Sequence, residues 1–77
     1  MERTLRAFIP KEPEVMMRVL ALLKRKGYQM SKILMEESTM EAGAWLHITF
    51  NAESPLFSGA VNTLSKVVDV SAVEEVD

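Results

Sequence analysis

A chain of 77 residues, 48% of them hydrophobic and 26% charged, has the composition of a folded domain and room for only one core. The absence of cysteine excludes a disulfide framework, a thiolate nucleophile and a sulfur metal cage. A formal charge of -2 argues against a mainly electrostatic hold on nucleic acid. With no apolar run near the roughly 18 residues of a membrane span and no signal-peptide core at the start, a cytoplasmic protein without a membrane partner is expected.

Residues 3–9 alternate as a first strand, with Leu5, Ala7 and Ile9 inward and Thr4, Arg6 and Phe8 outward. Pro10 and Pro13 bracket a short loop. Pro13 suits the first helical position, and Glu14 behind it favours the positive end of the helix dipole. A helix is predicted over 13–26, with Val15, Met16, Val19, Leu20, Leu22 and Leu23 as its apolar stripe. Lys24, Arg25 and Lys26 read as a solvated last turn, and Gly27 as its left-handed cap.

Residues 28–37 read as a second, less regular strand. Its Ser31, Ile33 and Met35 share one side, and Lys32, Leu34 and Glu36 the other. A polar loop over 38–43 leads into a third strand over 44–51. There Ala44, Leu46, Ile48 and Phe50 point one way, and Trp45, His47 and Thr49 the other. Ser54 then Pro55 read as N-cap and first residue of a second helix, which ends near 65 or 66 and repeats Phe57, Ala60, Val61 and Leu64. A last strand is predicted over 67–76, with Val68, Val70 and Ala72 opposed to Asp69, Ser71 and Val73. Glu74, Glu75 and Asp77 read as a solvated tail.

Strand-helix-strand-strand-helix-strand has one common compact solution. It is the ferredoxin-like βαββαβ sandwich, an α+β fold with two helices on one face of a four-stranded antiparallel sheet. Strands one and three are then central neighbours. Phe8 and Trp45 are expected together in the middle of the helix-free face, flanked by Leu34 and Val73 on the edges. A tryptophan turned to water on a small domain marks a contact surface, so Phe8, Leu34, Trp45, His47 and Val73 are the candidate partner interface.

Catalysis finds little support in these residues. His47 is the only histidine, and consecutive Glu36 and Glu37 face opposite sides of a strand. Neither a metal nor a cofactor is expected on this chain. Two users of such a sheet are testable by composition. A metal chaperone needs a Cys-x-x-Cys, which is missing. An RNA-binding sheet needs stacking aromatics on a basic surface, and only the aromatics are present. The junction of strand one and helix one, Lys11, Glu12, Pro13, Glu14, Val15 and Met16, offers helix N–H groups to a carboxylate such as an amino-acid effector. Glu12 and Glu14 repel one.

The segments Arg25-Lys26-Gly27-Tyr28-Gln29-Met30 and Leu64-Ser65-Lys66-Val67-Val68-Asp69-Val70, together with Arg18-Val19-Leu20, resemble the ACT domain of acetolactate (acetohydroxyacid) synthase small subunits. The first is similar to that family's arginine-glycine-aromatic turn after helix one. The second is similar to its leucine-x-lysine-leucine-valine-aspartate-valine run. The likeness spans residues 3–75, so residues 1–77 are expected to form one ACT domain, similar in length to the short form of the subunit. It implies a non-catalytic regulatory subunit that binds and activates a catalytic large subunit in branched-chain amino-acid biosynthesis. Thiamine diphosphate, magnesium and FAD would sit on that partner. It also implies pairing into a homodimer or higher oligomer and, in many relatives, an amino-acid effector. Here Lys11 stands at the family's asparagine position and Glu14 at its glycine position. A side chain and a negative charge there oppose a valine carboxylate, so weak or no valine binding is expected. The alternatives are a stand-alone amino-acid-sensing module with another target and, ranked below it, an RNA-binding sheet domain.

Overall fold

The computed structural model describes residues 2–51 and 55–76, in the order β1 (Arg3–Ile9), α1 (Pro13–Arg25), β2 (Met30–Glu37), β3 (Ala44–Phe50), α2 (Phe57–Ser65) and β4 (Ala72–Val76). The strands form one antiparallel sheet in the order β2-β3-β1-β4. This is the ferredoxin-like α+β fold, with both central strands where their alternation places them.

Helix α1 buries Val15, Val19 and Leu23, one turn apart, and carries Glu14 in its first turn and Lys24 and Arg25 in its last. It ends one residue before the expected boundary. Gly27 takes φ +91°, its N–H meets the Lys24 carbonyl at 3.0 Å, and the Tyr28 N–H meets the Leu23 carbonyl at 3.1 Å. That pair of bonds is a Schellman closure, which only a residue free to adopt positive φ completes cheaply. Tyr28 therefore belongs to the helix stop. β2 begins at Met30, later than residue 28, and a shift between Met30 and Lys32 leaves Ser31 unpaired.

Two other boundaries differ from expectation. Ser54, the anticipated N-cap of α2, lies outside the described residues, and Pro55 sits before the helix. Leu56 is the N-cap instead: its carbonyl accepts the Gly59 N–H at 3.0 Å and the Tyr28 hydroxyl at 2.9 Å, and Leu56 is held extended. β4 begins at Ala72 because residues 64–70 close two successive turns, Val67 N–H to Leu64 and Val70 N–H to Val67. Val70 is buried from within the turn, while Val68 is 97% exposed. The period-two pattern does not run through that turn.

On the helix side, Leu5, Ala7, Ile9, Leu46, Ile48 and Phe50 of the central strands pack with Val15, Val19, Leu23, Ala60 and Leu64. Tyr28, Phe50 and Phe57 meet edge to face at centroid distances of 5.4 and 5.9 Å. Gly59 lets this happen, since a Cβ there would lie 2.5 Å from the Tyr28 hydroxyl oxygen. No charged or polar residue is buried among the described residues.

Candidate functional site

The sheet register assigns each side chain to a face, because directly opposed residues in an antiparallel pair point the same way. Phe8 opposes Trp45, Arg6 opposes His47 and Thr4 opposes Thr49. Leu34 opposes His47, and Glu36 opposes Trp45. Ala72 opposes Phe8, and Glu74 opposes Arg6. These residues make up the helix-free face in three rows.

The aromatic row holds the Phe8 and Trp45 rings edge to face, centroids 5.0 Å apart. It lies toward one end of the sheet rather than in its middle. A Cβ at Gly43 would come within 2.6 Å of the Phe8 ring and 2.9 Å of the Ile9 carbonyl oxygen, so the loop before β3 runs tight against that ring. On the other side of the indole, a cleft of about 400 Å³ opens between Trp45, Glu36, Glu41 and Met40.

The middle row is charged, so the face is not apolar throughout. The Arg6 guanidinium lies 4.1 Å from the centroid of the Trp45 ring and pairs with Glu74. Cation–π geometry over the best aromatic donor keeps the indole half-buried beneath a charge. His47 sits beside this group with its Nε2 buried and without a hydrogen-bond partner, 3.6 Å from a Glu36 carboxylate oxygen. The outer row ends in a hydroxyl pair, Thr4 to Thr49 at 2.8 Å.

Of the candidate interface residues, the structure brings Phe8, Leu34, Trp45 and His47 onto this face. Val73 is placed on the other one. It opposes Ala7, a core residue, and packs against the core from the helix side. The turn over residues 67–70 resets the alternation, so parity counted from Val68 misplaces it. The acidic end is also no solvated tail within the described residues. Glu74 binds Arg6, and Glu75 takes two bonds from Arg3, at 3.0 and 2.8 Å; Asp77 lies outside the described residues. The hydrogen bonds raise Arg3 above its ordinary pKa and hold Glu75 below the usual carboxylate value. Arg6, Glu36 and Glu74 are the participants that sequence reasoning left out of the site. Arg6 was legible as outward-facing, but Glu74 is 68 residues away and only the sheet order joins them.

The β1–α1 junction offers little to an anion. Pro13 brings no N–H to the first turn, and the Val15 and Met16 N–H groups both donate to the Glu12 carbonyl, at 3.1 and 3.3 Å. Lys11 is committed to Glu37 at 2.6 Å, while Glu12 and Glu14 stand exposed on the same turn. Val15 is buried in the core, and Met16 is half-buried against it. Elsewhere, Val15, Val19, Leu22 and Val67 floor a cleft of about 210 Å³ whose rim is bridged by Arg18 and Asp69 at 2.8 Å. Among the described residues no cluster of histidine and carboxylate could hold a metal, and no helix is long and apolar enough to cross a membrane.

Two helices on one face of a four-stranded antiparallel sheet define the ferredoxin-like class of α+β domains. Within that class the chain belongs to the ACT domain family, whose model matches residues 11–73. A comparison with curated proteins finds no match. Among solved structures it is similar to the acetolactate synthase small subunit from Thermotoga maritima, with a TM-score of 0.86 and 25% identity. That alignment covers 100% of this chain and 48% of the other, so the chain spans about half the length of its structural relative.

Proposed function

We propose that this chain is a non-catalytic regulatory subunit of an acetolactate synthase, acting in the cytoplasm by binding the catalytic large subunit through its helix-free sheet face and raising its turnover. Residues 1–77 work as one ACT unit in this reading, and self-association into a dimer or larger assembly accompanies it. The partner, not this chain, carries thiamine diphosphate, magnesium and FAD. The observation that carries the proposal is the Phe8–Trp45 pair on an uncovered sheet, in a fold similar along its full length to an acetolactate synthase small subunit. Large aromatics with a guanidinium partner are the residue types that anchor protein interfaces. A subunit of this kind activates by binding the active arrangement of its partner more tightly than the inactive one.

The test is titration of the cognate large subunit with this chain. A saturable rise in turnover together with co-elution is expected, and no effect on either overturns the proposal. Trp45→Ala should weaken the complex by about 2 kcal/mol, roughly thirty-fold. Calorimetry against valine should show weak or no uptake, because the Val15 and Met16 N–H groups are taken by the Glu12 carbonyl and Glu12 and Glu14 add two negative charges to that turn. Tight stoichiometric binding would instead favour the amino-acid sensor.

A further inference from the structure

Around His47 the helix-free face carries one ion pair in its own row, Arg6 with Glu74, and one charge in each neighbouring row, Glu36 opposite Trp45 and Lys32 opposite Thr49. Lys32, two residues before Leu34 on the same face of β2, opposes Thr49 in the next row. No further charged group faces His47 from β1, β2 or its own strand. The imidazole itself is 21% exposed, and its Nε2 is buried with no partner, in contrast to the satisfied polar groups around it. A buried polar atom left unpaired is costly, and here the nearest acceptor is a carboxylate 3.6 Å away on a side chain that is 68% exposed and free to move.

We propose that His47 makes the partner-binding face responsive to protons: on taking one up, Nε2 closes onto Glu36, which draws that carboxylate from the Trp45 cleft. Imidazole is the one side chain whose ordinary titration falls between about pH 5 and about pH 8. Glu36 lines the cleft beside the indole and also faces His47, so one proton alters both the charge and the shape that a partner meets. The proposal deepens the reading of this face as the contact surface for the large subunit. The proton response itself stands without that reading.

Trp45 is the only tryptophan in the chain, and its indole lies two residues from His47 on the same face. Its emission therefore reports the charge beside it. In the isolated chain, emission measured from about pH 5 to about pH 8 should follow a single one-proton transition. His47→Gln should abolish the transition, and Glu36→Gln should reduce its amplitude, because Nε2 then has no carboxylate to close onto. A flat wild-type profile, or one retained unchanged in His47→Gln, overturns the proposal. Affinity for the large subunit should change about five-fold across the same range in the wild type, as for a partly exposed ion pair, and stay constant in His47→Gln. Equal pH dependence in both proteins overturns the link to binding. Absence of any complex at every pH overturns the regulatory reading instead, and the emission profile still decides the proton response.

Discussion

The two faces of β3 are built from alternate residues of one seven-residue strand, yet they obey different rules. Leu46 and Ile48 are fully buried against the helices, where apolar area alone decides the choice of residue. Trp45, His47 and Thr49 are half-buried, and each has a defined neighbour across the sheet: Phe8, Arg6 and Thr4. The helix side stabilises the chain. The other side is arranged to be stable in water while keeping aromatic surface available, since the Arg6 guanidinium covers the indole face and is itself held by Glu74. A wholly apolar reverse would promote indiscriminate association, which a charged row between aromatic and hydroxyl rows opposes.

Neighbouring substitutions break this comparison most directly. Leu46→Ala should cost about 2–5 kcal/mol in denaturant unfolding, as for a fully buried leucine. Trp45→Ala, one residue away, should cost clearly less in unfolding, the loss of the Phe8 and Arg6 contacts alone, and show its larger loss in the complex. Equal destabilisation by both would remove the distinction between the faces. Gly43→Ala comes next, at about 1–3 kcal/mol, because its Cβ meets the Phe8 ring and the Ile9 carbonyl in a backbone conformation that side chains rarely adopt. That variant should also shift Trp45 emission, since Phe8 and Trp45 pack together. The smallest effect belongs to Glu75. Its folded-state pKa is depressed by the Arg3 hydrogen bonds, so its contribution is complete above the ordinary carboxylate value and is lost as pH falls through the folded value. Glu75→Gln should remove a shallow part of the acid limb of stability and change nothing at neutral pH beyond the loss of an exposed ion pair.

How much of this was legible in the sequence depends on whether local pattern or distant pairing governs a residue. β1, β3 and α1 follow from alternation and from Pro13 and Gly27, which act on their own neighbourhood. The onset of α2 does not, because Leu56 is held by the hydroxyl of Tyr28, 28 residues earlier. β4 is misread in its first half because residues 67–70 look like strand, whereas Val67 and Val70 close turns against Leu64 and Val67. For the candidate site, the outward set Phe8, Leu34, Trp45 and His47 was readable from parity once the strand order was inferred. The charges that modify it were not: Arg6 to Glu74 and His47 to Glu36 depend on which residues the sheet places opposite one another.

β3 has a partner strand on each side and a demanding set of neighbours above and below. A strand so placed can accept new letters but not a new length. Inserting one residue between Ala44 and Trp45, with the register held at Ala44, would turn the indole and imidazole into the hydrocarbon interior and expel Leu46 and Ile48 into solvent. Family members that keep this architecture should therefore vary the spelling of this segment while holding its count constant.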